Sequence, residues 1–81
     1  MSTQGLLDRI EINPKVLAGK PVIKGTRLSV QFIVGLLGQG VTMEEILQEY
    51  YRLTKEDILA CLVFASNILE SNAFYPLKQV A

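Results

Sequence analysis

A single cysteine, Cys61, and no histidine constrain this chain more than any motif in it. One thiol cannot close a disulfide, and without a second thiol or an imidazole a structural zinc has no ligand set. A chain of 81 residues builds one domain, whose core alone contributes about 3–5 kcal/mol. With neither staple in place, burial against another chain remains as extra support. Composition points the same way. Hydrophobic residues make up 49% of the chain, and the surplus apolar area is expected at an interface, in a homodimer or with a different protein.

The same residues bound the function. No histidine, metal cluster or credible catalytic pair is present, so the chain is read as a non-enzyme, with no catalytic residue, metal, cofactor or small-molecule substrate. The longest apolar runs are Ile58 to Ala65 and, counting Gly35, Phe32 to Leu37; a membrane span needs about 20 residues. The start MSTQGLLDRIEI lacks the basic and apolar regions of a signal peptide. A cytoplasmic protein without membrane contact is expected. Net charge is zero, but the charges are segregated. Residues 1–35 hold Arg9, Lys15, Lys20, Lys24 and Arg27 against Asp8 and Glu11, and residues 36–81 carry the opposite surplus. That asymmetry mildly favours a polyanionic or acidic partner for the basic half.

Along the chain, Arg9-Ile10-Glu11-Ile12 alternates like a strand and Asn13-Pro14 turns it. Lys20-Pro21-Val22-Ile23-Lys24 is a second short strand, with Pro21 at a strand start or on an edge because it cannot donate to a ladder. Gly25-Thr26 turns again. Three helices are predicted to follow. Ser29 caps the first, which runs to about Gln39 and stops at Gly40 in a C′ role. Thr42 with Glu45 forms a capping box for the second, about Met43 to Tyr50. Thr54 with Asp57 opens the third, which ends near Glu70 to Asn72. Gly35 and Gly38 leave room for another backbone to approach the first helix. The expected fold is mainly α: a short β-hairpin-like segment and a three-helix, homeodomain-like bundle with a helix-turn-helix outline. The domain spans 10–72, between an N-terminal tail 1–9 and a C-terminal tail 73–81.

The order GKPVIKGTRLSV, a helix, then GVTMEEILQEYYRLTKEDILACL closely resembles the bacterial family called domain of unknown function 433, over roughly Ile10 to Ala65. The pairing of Gly-Lys-Pro-x-Ile-x-Gly-Thr-Arg with Leu-Thr-x-Glu-Asp-Ile is fairly specific. One departure is Tyr51, where the family usually has proline. The resemblance implies a homeodomain-like helix-turn-helix fold. It also implies the role of an antitoxin in a type II toxin–antitoxin pair, neutralising a PIN-like nuclease and binding its own promoter as a further activity. Two other functions stay open: a stand-alone helix-turn-helix DNA-binding regulator, and a structural dimerisation module.

The candidate partner- or nucleic-acid-binding residues are Lys20, Lys24, Thr26 and Arg27. In the functional reading the three cations project from a glycine-bounded loop towards clustered carboxylates or phosphates. In the structural reading the glycines, Pro21 and Thr26 shape the loop, and Arg27 pairs internally with a helix carboxylate such as Glu45 or Asp57. Both readings stand for Arg27. A phosphate-cradling P-loop is rejected, because Lys24-Gly25-Thr26 has the wrong order and no helix opens there. Base reading by the third helix is disfavoured, since its start offers Lys55, Glu56 and Asp57, and two of these repel phosphate. Cys61 is read as buried packing. Tyr50, Tyr51, Phe74 and Tyr75 are read as packing at the turn and tail before base stacking.

Overall fold

The structure, a computed structural model, describes residues 3–71. The chain runs through α1 (Thr3–Leu7), β1 (Ile10–Glu11), β2 (Val22–Ile23), α2 (Val30–Gly38), α3 (Met43–Glu49) and α4 (Lys55–Ser71). The expected fold class holds: a small antiparallel β pair leads into three helices.

The β pair is two residues deep, with Ile10 opposite Ile23 and Glu11 opposite Val22. Residues 12–21 link the strands through a short turn at Leu17–Gly19. There Leu17 and Ala18 share the left-handed backbone region with Gly19, an arrangement that nothing in the sequence announces. Ordinary side chains favour that region only weakly. Backbone bonds carry the pairing outward. Lys24 N–H donates to the Arg9 carbonyl at 2.9 Å and Val30 N–H to the Pro21 carbonyl at 2.9 Å. Pro21 thus sits just before a strand, where its missing N–H is harmless.

The helices start where their caps lie. Ser29 Oγ accepts from Phe32 N–H at 2.9 Å. Thr42 and Glu45 close a reciprocal capping box. Gly40 follows α2 at φ 93°, a conformation that costs a glycine little and stops the helix. At α4, Thr54 N–H donates to Asp57 Oδ2 at 2.9 Å while Asp57 N–H donates to Thr54 Oγ1 at 3.3 Å. Each such cap is worth about 1 kcal/mol.

The core joins these elements. Ile23, Val30, Ile33, Ile46, Leu53, Ile58 and Cys61 form one buried cluster, drawing on β2, all three long helices and the α3–α4 turn. Burying each large aliphatic contributes about 1.5–3 kcal/mol. Helix α2 buries Val30 and Ile33, while Phe32 stays partly exposed and meets Tyr50 edge-on at 6.0 Å. Among the described residues, α2's own backbone aside, nothing lies within 4 Å of a Cβ placed at Gly35 or Gly38, so no other described segment fills the space predicted beside them.

One element has no counterpart in the sequence pattern. Residues 1–9 were expected to be a tail, yet Thr3–Leu7 is helical and packs on α4 with Leu6 buried. The helix exists because α4 offers apolar side chains to cover; five residues alone cannot sustain a helix in water. The expected tail at 73–81, with Phe74 and Tyr75, lies outside the described residues.

Candidate functional site

The stretch from Gly19 to Arg27 wraps β2 and the turn after it. Gly25 takes φ 78° in a turn closed by Thr26 N–H donating to the Ile23 carbonyl at 3.0 Å, and a positive φ at that place favours glycine. The Thr26 hydroxyl donates to the same carbonyl at 2.8 Å and accepts from Leu28 N–H at 3.0 Å. Thr26 therefore shapes the loop that carries Arg27.

The three cations of the predicted site are all exposed, but they do not converge. Lys20 borders a shallow groove on α2 with Ser29, Gln31, Phe32, Gly35 and Gln39. Lys24 stands at the turn apex. Arg27 lies beside Thr26 in a notch completed by Val16, Gly25 and Arg52. A second, adjoining concavity shares Thr26, Arg27 and Arg52 and adds Leu28, Glu49, Tyr50 and Tyr51. Arg52, from the α3–α4 turn, was not among the predicted site residues. No local pattern pointed to it, because only the fold brings that turn to the loop after β2.

The two internal partners foreseen for Arg27 are engaged elsewhere. Glu45 accepts from Thr42 N–H at 2.8 Å in its capping box. Asp57 pairs with Arg9, Nη1 to Oδ1 at 3.1 Å, and also caps α4. Among the described residues this is the one ion pair, and Arg27 and Arg52 are in none. Asp57 is 8% exposed, so a buried carboxylate is satisfied by one guanidinium and one backbone N–H. Tyr51, the residue that replaces the family's proline, is 85% exposed.

Cys61 is buried beneath this end of α4. Burial, and secondarily the negative Asp57, push its thiol up from 9.0 to about 12. A thiol held protonated at neutral pH is a packing group, not a nucleophile. Among the described residues no group of three His, Cys, Asp or Glu side chains converges to hold a metal ion, and no helix is long and apolar enough to cross a membrane.

Taken together, the β pair, the α3–turn–α4 unit and the cation-bearing loop beside that turn define a small helix-turn-helix-like domain. A family model described as "Protein of unknown function (DUF433)" matches residues 10–65. The chain belongs to this family. The crystal structure of a DUF433 member protein from Anabaena variabilis is similar, with a TM-score of 0.74 and 34% sequence identity. The match covers 83% of this chain and 66% of that one, so the present chain spans about two thirds of that protein's length. None of the curated proteins matches the chain.

Proposed function

We propose that this protein is a non-enzymatic, cytoplasmic binding module of the antitoxin type, which docks on a PIN-like nuclease and blocks its carboxylate-rich site. The family resemblance supplies the partner class. The observation that carries the reading is the state of Arg27: both carboxylates that might have claimed it are held by other groups, leaving an exposed guanidinium on the loop after β2. A cation that the fold does not neutralise is available to a partner's acid. The apolar surface left at Ile12, Ile68 and Leu69 supports a homodimer as the working form.

The test is to co-express the chain with a small PIN-like nuclease from the same genome, then measure co-purification and nuclease activity. Wild type is expected to co-purify and silence the enzyme. Arg27→Ala is expected to lose about 2–5 kcal/mol of affinity if its pair is buried in the complex. A nuclease that remains fully active in the presence of excess wild-type protein rules the reading out.

A stand-alone DNA-binding regulator is favoured by one observation, the short α3, tight turn and long α4. The acidic first turns of both helices, with Glu44 and Glu45 in α3 and Glu56 and Asp57 in α4, weigh against it. A gel shift over a salt series separates the two: tight, salt-steep binding to promoter DNA without any partner belongs to the regulator.

A further inference from the structure

We infer that Arg27 and Arg52 together form a carboxylate-accepting notch, the charged centre of a protein–protein interface, with Tyr51 as its aromatic flank. The two residues come from different parts of the fold, the loop after β2 and the turn between α3 and α4, yet they line the same notch with Thr26, Gly25 and Val16. That lining contains no acid. Glu49 borders only the adjoining concavity and is ion-paired with neither arginine. Bringing two like charges to one place without a counter-ion does nothing for the fold. Such a conflict between local chemistry and stability is the usual mark of a site kept for a ligand.

The ligand is an oxyanion, because a guanidinium presents a fork of donors matched to a planar carboxylate. Two observations favour carboxylates of a partner protein over nucleic-acid phosphates. The chain has no net charge, and the one helix start next to the turn, that of α4, carries Glu56 and Asp57, whereas phosphate binding draws on a field of many cations. Beside the arginines stands Tyr51, 85% exposed. Tyrosine and arginine are the residue types that concentrate binding energy at the centre of protein interfaces.

The inference deepens the antitoxin reading and rests on it only for the partner's acidic character. Its test needs no nuclease. The full-length protein is titrated with an oligoglutamate peptide, and in parallel with a short DNA duplex, while backbone amide shifts are recorded. The peptide is expected to move amides at Gly25–Leu28 and Tyr51–Leu53. Arg52→Gln and Arg27→Gln should each weaken it by about tenfold or more, and Arg52→Lys should restore only part of the loss. Both arginines are exposed, so the variants are expected to keep the wild-type spectrum elsewhere. Shifts spread evenly over Lys20, Lys24 and Lys55, or an affinity indifferent to Arg52→Gln, overturn the inference. So does a duplex that displaces the peptide from the same amides. If the peptide binds in the notch but the nuclease is ignored, the antitoxin reading fails and the notch stands. If the nuclease is bound through Arg27 while Arg52→Gln changes nothing in either assay, the notch fails and the antitoxin reading stands.

Discussion

Arg9 and Arg27 both belong to the basic N-terminal third, and the fold uses them in opposite ways. Arg9 reaches Asp57 at 3.1 Å and ties the strand that follows α1 to the start of α4. Its partner is nearly buried and also closes the α4 cap. Arg27 stands exposed next to another arginine, with no acid in the notch they share. The difference lies in the carboxylates. Glu45 and Asp57 are held by local caps, and Asp57 also by Arg9, just ahead of β1. Arg27 pairs with neither. One arginine therefore serves stability and the other is left for recognition, and substitution should separate the two roles.

The largest effect is expected at Asp57. Asp57→Ala removes the reciprocal cap of α4 and the ion pair in one step. It should cost about 2 kcal/mol, with about 1 from the cap and the rest from the lost charged hydrogen bond. Urea denaturation measures this as a lower midpoint at an unchanged m-value. A loss near zero would mean that the Arg9–Asp57 end is no more committed to the fold than the Arg27–Arg52 notch.

Cys61 reports on the same buried end from inside. Its thiol is raised from 9.0 to about 12, so the folded state holds a proton that the unfolded chain releases. The resulting stability is fully present below about pH 9 and is lost as pH rises towards 12, with a slope of about 1 kcal/mol per pH unit between those values. Cys61→Ala should flatten this alkaline slope relative to wild type, whatever it does to the absolute stability. Equal slopes for the two proteins above pH 9 would contradict a thiol held in this environment. In the notch no comparable group is buried, so Arg27→Gln should leave the slope as it is.

Local contacts are legible in the sequence, and contacts between distant segments are not. Ser29, Thr42 with Glu45, Thr54 with Asp57, and Gly40 were legible because a cap is made by residues three or four apart and carries its own chemistry. The pairing of two short strands was legible for a similar reason, with turn residues bracketing apolar pairs. Arg9–Asp57 was not, because 48 positions separate the partners and no local rule chooses one guanidinium over another. The same limit hid Arg52, which acquires its meaning only beside Arg27. Helix α1 was missed because its stability comes from the α4 surface it covers, with Leu6 as the anchor. Five residues hold too little pattern to show that in advance.

A smaller effect is expected for Arg9→Gln. The Arg9 side chain is 38% exposed, so water screens the pair and compensates part of its loss, while Asp57 keeps its bond from Thr54 N–H. A cost of about 0.5–1 kcal/mol follows. A double-mutant cycle with Asp57→Asn isolates the pair from the cap, since asparagine can still accept at the helix start. Coupling close to the whole Arg9→Gln cost places that cost in the ion pair. Coupling near zero assigns it to packing of the Arg9 stem.

The smallest effect on stability, and the sharpest contrast, is expected in the notch. Arg27→Gln and Arg52→Gln remove charges that pair with no group among the described residues, so each should change the unfolding free energy by no more than about 0.5 kcal/mol. Relief of the repulsion between them makes a slight gain the expected sign, larger at low salt, where exposed charges are least screened. The double substitution should recover no more than this small sum. If either variant instead destabilised the protein as much as Arg9→Gln does, a hidden internal partner would have to exist for it, and the notch would become a second structural tie. Stability that is flat or slightly improved, alongside weakened capture of an acidic peptide, separates the arginine that holds the fold from the pair that faces a partner.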